Sequence, residues 1–394
     1  MTGQVRVHNF AISLDGFGTG AEQSVDAPFG HAGGSLMEWF FGTRRGAAIH
    51  GLTSAARGDD DAFAVGLACG GKIQVAVEPV GTGQGPSEGY LAALVEARAR
   101  RRPVASAVRP ADWTRRLVGD LLPEGGSADY IDTGIWSSKA SSEAQRFGTV
   151  RVAASGKDSG YTRVPDRNDW DLDPDAAYVH LCGNETIGGV EFHDTPDVGR
   201  VPLVVDASSH ILSRPLDVRR YGMIYGGAQK NIGPAGLSLV IIREDLLGRA
   251  RKTMPSILDY GKQAENDSMI NTPPTYSIYL AGLVFQWLKK LGGLTEMARR
   301  NEEKARLLYD TLDASSFFRN PVAKADRSWM NVPFTLADEA LDAAFLKGAA
   351  ERGLANLKGH RSVGGMRASI YNAMPLEGVQ ALVDYLKDFE KTRA

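Results

Sequence analysis

Short apolar runs alternate with longer amphipathic segments along the carboxyl-terminal two-thirds of the chain. Runs of three to six residues rich in valine, isoleucine, leucine and tyrosine are typical of buried strands, and they cover 177–181, 202–205, 223–225 and 237–242. Helical periodicity extends over 274–291, 294–312 and 376–389, and a pair of glycines separates the first two of these segments. Strands that alternate with helices predict an α/β protein with a mostly parallel sheet.

The same pattern predicts three parts of the chain. Residues 121–296 would form a large domain that carries the main sheet and the ligand site, and residues 297–394 would form a smaller α/β domain. Residues 1–120 would be an amino-terminal segment of a different character. With 394 residues, the chain is long enough for two or three domains, each with its own core.

One lysine lies in a glycine-dense loop between two of the predicted strands. The loop reads Gly226-Gly-Ala-Gln-Lys230-Asn-Ile-Gly-Pro-Ala-Gly236, and its small residues allow a flat ring to approach the backbone. A lysine amine forms Schiff bases with carbonyl compounds when desolvation or a nearby cation lowers its pKa. Lys230 is therefore a candidate Schiff-base lysine, although a lysine in a loop is more often simply solvated.

Asp206 is the carboxylate that suits such a lysine. It follows the apolar run 201–205, so we expect it at the carboxyl end of a buried strand, where open α/β sheets place ligand sites. It precedes Lys230 by 24 positions, enough for one crossover connection. The pair suits pyridoxal phosphate, whose pyridine nitrogen must stay protonated beside a carboxylate. An aspartate after a strand can also be an ordinary turn or helix cap.

The composition indicates a cytoplasmic enzyme and argues against several other classes of protein. A formal net charge of −2 gives no sign of a nucleic-acid or membrane partner. The two cysteines, Cys69 and Cys182, are too few and too far apart for a disulfide framework or a zinc site, so we predict no metal. The amino terminus lacks an apolar signal core, and no apolar stretch approaches membrane-spanning length.

Six blocks of sequence carry a resemblance to a known family. They are Asn184-Glu-Thr-Ile187, Asp206-Ala-Ser-Ser209, the lysine loop, Asn271-Thr-Pro-Pro274, Lys358-Gly-His-Arg361 and Gly364-Gly-Met-Arg-Ala-Ser-Ile-Tyr-Asn-Ala-Met-Pro375. On these blocks, 274 residues from about Leu121 to Ala394 resemble the phosphoserine aminotransferase family of serine biosynthesis. The resemblance implies a fold-type I pyridoxal-phosphate transferase that acts as a homodimer. It also implies ping-pong transamination between phosphoserine and 2-oxoglutarate, with glutamate as a product, and 4-phosphohydroxythreonine of vitamin B6 synthesis as a second substrate.

The resemblance assigns roles around the cofactor ring. Lys230 would form the internal aldimine and shuttle the proton between the substrate Cα and the cofactor, while Asp206 would pair with the ring nitrogen. Trp136, in the segment Tyr130-Ile-Asp-Thr-Gly-Ile-Trp136, would stack on the ring face, and Thr186 would bond the ring hydroxyl. From the residues alone, Trp136 could equally be a core aromatic and Thr186 a helix cap.

The family also places residues on the cofactor phosphate. Gln229 would hold this phosphate together with Asn271 and Thr272, which in this family reach across from the partner subunit. A homodimer with a shared site is therefore expected. Thr272 could instead be a helix N-cap, since Pro273 would follow it at the first helical position.

Three cations would bind the substrate by the same resemblance. His360 and Arg361 would grip its phosphate, and Arg367 would grip its α-carboxylate. The arginine side chain suits both anions because its forked donors match carboxylate and phosphate oxygens. Glycines at 364 and 365 indicate a shaped loop before Arg367, although His360 and Arg361 could also form a solvated basic patch.

The first 120 residues do not continue the family pattern. Only His8-Asn9-Phe10 is similar to the opening arm of the family, and the glycine-rich turn and His-Arg pair that should follow are missing. Residues 1–62, including Ile12-Ser-Leu-Asp-Gly16, instead resemble part of the dihydrofolate-reductase-like family. Residues 63–118, including Gly66-Leu-Ala-Cys-Gly-Gly71, resemble a fragment of an accessory family that matures molybdenum hydroxylases.

This composite amino terminus leaves two alternatives to an active aminotransferase. The chain could be catalytically impaired and act as a noncatalytic scaffold, because fold alone does not confer activity. The second alternative is a nicotinamide-dependent reductase built on residues 1–62, for which no complete dinucleotide site follows. Cofactor titration separates the first alternative from the enzyme, and NADPH binding by residues 1–120 would support the second.

Overall fold

A computed structural model describes residues 101–106 and 117–393 of the chain. Seven strands in these ranges form one sheet: β1 (Arg101–Ser106), β2 (Ser127–Asp132), β3 (Thr149–Ser155), β4 (Val179–Cys182), β5 (Leu203–Asp206), β6 (Met223–Gly227) and β7 (Ser238–Arg243). Their order is β1-β7-β6-β5-β4-β2-β3. Strands β2 to β6 are mutually parallel, whereas β7 is antiparallel to both β6 and β1. The prediction of a mostly parallel sheet is confirmed.

The helices of the described residues pack around this sheet and a smaller one. Besides the helical residues 117–121, they are α1 (Ile135–Ala144), α2 (Tyr260–Glu265), α3 (Thr275–Lys290), α4 (Gly293–Ala314), α5 (Asp342–Glu351) and α6 (Leu376–Arg393). The sequence pattern predicts α3, α4 and α6 to within four residues at each end. Gly292 separates α3 from α4 at a φ of 106°, a left-handed conformation that side chains with a Cβ rarely adopt.

The central strands of the main sheet are buried on both faces. Alternate residues of β5 point to opposite sides, so Leu203 and Val205 join one apolar cluster while Val204 joins the other. Each such side chain stabilises the fold by about 1.5–3 kcal/mol when it is fully buried. Burial on both faces explains why these strands read as continuous apolar runs in the sequence.

A second, antiparallel sheet lies in the carboxyl-terminal part of the chain. Its strands are β8 (Phe318–Arg319), β9 (Asn331–Leu336) and β10 (Met366–Ser369), in the order β10-β9-β8. An aromatic cluster that includes Phe334 and Phe345 packs this sheet against α5 and α6. Helix α4 contributes to both cores, with Met297 in the first and Leu308 in the second. The exact division into domains, at 120/121 and 296/297, stays a prediction.

Two absences can be stated for the described residues. Within the ranges 101–106 and 117–393, no helix has both the length and the apolar character needed to span a membrane. The same ranges contain no group of three histidine, cysteine, aspartate or glutamate side chains placed to hold a metal ion.

Candidate active site

A cavity opens at the carboxyl ends of three parallel strands of the main sheet. Cys182, Asp206 and Tyr225 are register partners on β4, β5 and β6, and all three line the cavity. The lining also includes Trp136, Asn184, Thr186, Ser208, Gln229 and Lys230. The loops that follow parallel strands meet at one edge of a sheet, which explains why residues so distant in sequence converge here.

Lys230 projects into this cavity from the turn after β6. Its Nζ atom donates a hydrogen bond to Thr186 Oγ1 at 2.6 Å. Burial lowers the pKa of the Lys230 amine, the Asp206 carboxylate opposes this effect, and the Arg367 guanidinium adds to the lowering. An amine with a lowered pKa is neutral more often, and the neutral amine is the form that attacks a carbonyl carbon.

Asp206 lines the same cavity at the end of β5. Burial raises the pKa of its carboxyl group, whereas hydrogen bonds from Ser208 and the charge of Lys230 oppose that rise. Ser208 supplies two of these bonds to Asp206 Oδ1, from its backbone nitrogen at 2.9 Å and its Oγ at 2.5 Å. A buried carboxylate in this state is stabilised by a further cation. The protonated ring nitrogen of pyridoxal phosphate would supply that charge, so the residues fit this cofactor.

Trp136 lies in the first turn of α1, where its side chain faces the cavity. It is 38% exposed, so it is not a core aromatic. The Nζ atom of Lys139 lies 5.0 Å from the centre of its ring. A partly exposed tryptophan that lines the same cavity as Lys230 leaves ring surface on which a flat cofactor could stack.

Thr186 accepts hydrogen bonds from both Lys230 and Arg367. Besides accepting the bond from Lys230 through its hydroxyl, it accepts a bond from Arg367 Nη1 through its backbone oxygen at 3.4 Å. Its side chain is buried and turned toward Lys230. The structure therefore brings Trp136, Thr186, Asp206, Gln229 and Lys230 to one cavity, with Arg367 beside it.

Four predicted site residues are not gathered here. Asn271 and Thr272 lie on the exposed segment before α3, and Arg361 is also exposed, while His360 is half-buried and bonds Ser362 Oγ at 2.6 Å. None of them is among the described residues that line the cavity. The N-cap of α3 is Pro274, so the alternative role of Thr272 as an N-cap is wrong.

The structure also shows residues at the site that the sequence prediction omits. Tyr225 lines the cavity and shares a hydrogen bond with the buried His180 at 2.9 Å. Ser208 and Glu185 hold Asp206 and the start of α1. Ser208 and Glu185 lie inside sequence blocks that carry the family resemblance, and their place in those blocks is the sequence signal that could have identified them.

Comparison with known proteins agrees with this geometry. The model of the family described as aminotransferase class-V matches residues 114–382. The chain is 65% identical over 274 residues to a phosphoserine aminotransferase of Pseudomonas paraeruginosa strain PA7, covering 70% of this chain and 76% of that relative. It is 64% identical over 272 residues to a phosphoserine aminotransferase of Azotobacter vinelandii, covering 69% of this chain and 75% of that relative.

Solved structures give the same result. The phosphoserine aminotransferase from Bacillus circulans subsp. alkalophilus superposes with a TM-score of 0.75 at 42% identity, covering 77% of this chain and 85% of that chain. A phosphoserine aminotransferase from Trichomonas vaginalis with bound pyridoxal phosphate gives 0.71 at 40% identity, covering 75% and 85%. Residues 1–113 lie outside the family match. The two fragment resemblances, over 1–62 and 63–118, fall there except for residues 114–118, and they lie almost wholly outside the residues that the structure describes.

Proposed function

Because the chain belongs to the phosphoserine aminotransferases of the class-V aminotransferase family, and is thus a pyridoxal-phosphate-dependent enzyme, we propose that it transfers the amino group of phosphoserine to 2-oxoglutarate. The observation that carries the proposal is the common cavity of Lys230 and Asp206. The products are 3-phosphohydroxypyruvate and glutamate. The free, buried thiol of Cys182 agrees with a reducing compartment, so we place the reaction in the cytoplasm.

We expect each residue of the cavity to have a separate role in this reaction. Bound pyridoxal phosphate supplies an aldehyde that exchanges amino groups and a cationic ring that accepts electron density. Lys230 would hold the cofactor covalently and would then take the proton from the substrate Cα atom. Asp206 would keep the proton on the ring nitrogen, and Trp136 would cover a ring face. Thr186 is hydrogen-bonded to the Lys230 amine and so orients it, and it would also bond the ring hydroxyl.

The anionic groups need donors of their own. Gln229 is exposed at the cavity and would hold the cofactor phosphate. Arg367, beside Thr186, would bind the α-carboxylate of the substrate, and His360 with Arg361 would bind its phosphate. Arginine binds both kinds of anion through two parallel donors.

Substitutions of Arg361 and Arg367 should have different effects on the preference for phosphoserine over serine. Arg361→Met should lower the preference for phosphoserine over serine, measured as the ratio of their kcat/KM values, by about 10- to 100-fold, since one charge-assisted bond is worth about 1.5–3 kcal/mol. Arg367→Met should lower kcat/KM for both amino acids and leave the ratio unchanged, because both carry the α-carboxylate. Equal ratios in wild type and Arg361→Met would contradict the assignment of Arg361 to the phosphate.

4-Phosphohydroxythreonine has the same two anionic groups as phosphoserine on a longer carbon chain. We therefore propose that it is a second substrate, which would give the enzyme a role in vitamin B6 synthesis. The same cations would bind it. Its kcat/KM should fall in Arg361→Met together with that of phosphoserine, and a selective loss of only one of them would contradict a shared site.

A second copy of the chain would complete the site. Tyr276, Tyr279, Leu283 and Trp287 lie at helical spacing along α3 and are each 37–54% exposed. An apolar face of this kind marks an interaction surface. It continues from the exposed segment that carries Asn271 and Thr272, so we propose a homodimer in which these two residues reach the cofactor phosphate of the partner subunit.

Trp287→Glu should therefore convert the dimer to a monomer and weaken pyridoxal-phosphate binding at the same time. Light scattering coupled to size-exclusion chromatography measures the first effect, and cofactor titration measures the second. Lys289→Gln is the control, since it changes the charge of the same helix by the same single negative unit and lies two positions after Trp287, off the apolar face. A monomeric variant that binds the cofactor as tightly as the wild type would contradict the shared site.

The rate at which free pyridoxal phosphate attaches to the protein should rise with pH through the titration of Lys230. Only the neutral amine reacts, and burial holds the pKa of Lys230 below its ordinary value of 10.5. Asp206→Asn removes a charge that opposes this lowering, so the midpoint of the rate should move to lower pH. Arg367→Met should move the midpoint to higher pH. Stopped-flow absorbance measures both shifts, and unchanged midpoints would show that these charges do not act on the amine.

A further inference from the structure

Glu185 is a fully buried carboxylate between the strand-end loop of β4 and the start of α1. Its Oε2 atom accepts a hydrogen bond from the backbone nitrogen of Trp136 at 3.0 Å. Its Oε1 atom accepts bonds from the backbone nitrogen and the Oγ atom of Ser137, at 2.8 and 2.7 Å. Among the ion pairs of residues 117–393, none includes Glu185.

The start of α1 supplies hydrogen-bond donors and a favourable electrostatic field to the Glu185 carboxylate. The first N–H groups of a helix have no partner within the helix, and the helix dipole favours a negative charge beside them. Burial raises the pKa of Glu185, and the bonds from Ser137 and Trp136 oppose that rise. Gly134 allows the close approach, because a Cβ atom there would lie 2.7 Å from the carboxyl carbon of Glu185.

The same glutamate lies next to Thr186, which accepts the hydrogen bond from Lys230. Residues 185 and 186 therefore fix two parts of the cavity at once. Glu185 holds the backbone from which the Trp136 ring projects, and Thr186 holds the lysine amine. A small shift at the start of α1 would move the Trp136 ring relative to Lys230, because the ring is attached at the residue whose N–H group Glu185 binds.

We propose that Glu185 is a positioning residue that holds Trp136 in the orientation needed to cover the cofactor ring. The inference rests on the proposed role of Trp136 at the cofactor. It goes further than that role, since Glu185 is not among the described residues that line the cavity and contacts Trp136 and Ser137 at the start of α1 instead. Its neighbour Ser137 supports the same arrangement, because the Ser137 Oγ atom also accepts bonds from Thr133 and Gly134 backbone nitrogens at 2.8 and 2.9 Å.

A purely structural helix cap is the competing explanation, and the chain offers a matched control for it. Asp120 is also buried, and its Oδ1 atom accepts a bond from the backbone nitrogen of Tyr260, the first residue of α2, at 3.0 Å. Asp120 is not among the described residues that line the cavity. Asp120→Asn and Glu185→Gln thus make the same chemical change, carboxylate to amide, at the start of two helices.

The experiment measures three quantities on the full chain: the apparent Kd for pyridoxal phosphate, the visible circular dichroism of the bound cofactor and the melting temperature. Glu185→Gln should raise the Kd by about 5- to 100-fold, which is at most the loss of the stacking contact of Trp136, about 1–3 kcal/mol for a heteroaromatic ring on an aromatic side chain, and should reduce the dichroism. Asp120→Asn should lower the melting temperature and leave the Kd and the dichroism of the wild type. If Glu185→Gln fails to fold, Ser137→Ala tests the same contact and should shift both cofactor measurements in the same direction.

A double-mutant cycle then tests whether Glu185 acts through Trp136. In the Trp136→Ala background, Glu185→Gln should change the Kd by less than about 3-fold, because the side chain that it positions is gone. An effect of Glu185→Gln that is equally large in both backgrounds would overturn the inference while leaving the proposed function intact. A lower melting temperature of Glu185→Gln with unchanged Kd and dichroism would also overturn the inference. A wild-type protein without saturable cofactor binding would overturn both the inference and the proposed function.

Discussion

Replacing Lys230 with alanine should lower the rate of phosphoserine transamination by roughly 10³-fold or more, since the variant loses both the covalent attachment and the base that serves the substrate Cα atom. Lys230 lines the cavity with Asp206, and its Nζ atom donates a hydrogen bond to Thr186. Coupled assays of 3-phosphohydroxypyruvate formation measure the loss. Mass spectrometry after borohydride reduction should find the cofactor on Lys230 in the wild type and no attached cofactor in the variant.

Lys347→Ala is the control, because this lysine is 80% exposed and lies on α5. It should keep wild-type activity and cofactor attachment. A Lys230→Ala protein that stays yellow and fully active would refute the assignment. Titration of the wild type also tests the alternative of a noncatalytic scaffold, since a scaffold would show no saturable cofactor signal.

The sequence predicts the central strands well for a physical reason. Strands β4 to β7 are buried on both faces, so their apolar runs are continuous and end within two residues of the predicted positions. Strand β2 is different, because the buried Asp129 and Asp132 interrupt its apolar pattern. Helix α1 reads Ile135-Trp-Ser-Ser-Lys-Ala-Ser-Ser-Glu-Ala144, with too few apolar residues to show a face, and it is held by tertiary hydrogen bonds instead.

The residues of the site also differ in how far the sequence alone predicts their contacts. Lys230 and Asp206 could be paired from the sequence because each follows a recognisable strand, and parallel strands end at one edge. Glu185 could not be paired with the start of α1 in this manner. Its bonds to Trp136 and Ser137 join residues 48 or 49 positions apart, and no periodicity or composition records such a contact. The proposed grouping of Asn271 and Thr272 with the cofactor would likewise require a second subunit.

The contact between the main sheet and the segment before β9 depends on another buried carboxylate. Glu191 is fully buried and forms an ion pair with Arg214, whose side chain is 12% exposed. Glu191 Oε2 also accepts a bond from the backbone nitrogen of Trp329 at 2.8 Å, and the Arg214 guanidinium lies 5.5 Å from the centre of the Trp329 ring. Arg214 Nη2 donates to the Phe192 backbone oxygen at 2.6 Å. The charged groups of Glu191 and Arg214 thus find their partners within this one contact.

Arg214→Met should therefore cost about 3–5 kcal/mol of the free energy of unfolding at pH 7, because it leaves Glu191 buried without its cation. Urea unfolding measures the loss. Arg200→Met is the control: Arg200 pairs with Asp175 on the surface, where the side chains are 77% and 82% exposed, and we expect a loss below about 1 kcal/mol. The double variant Arg214→Met/Glu191→Gln should recover part of the loss, since no buried charge is left unpaired.

The difference between wild type and Arg214→Met should also depend on pH, with a defined sign. In the wild type, burial would raise the pKa of Glu191, but Arg214, His210 and His193 outweigh burial and lower it, so the ion pair stabilises the fold above the unfolded-state pKa and loses this effect as pH falls. Without Arg214, burial should raise the pKa above its unfolded value, so proton uptake stabilises the variant at low pH. The gap in stability should therefore be larger at pH 7 than at pH 5. An equal gap at both values would show that Glu191 does not carry an uncompensated charge in the variant.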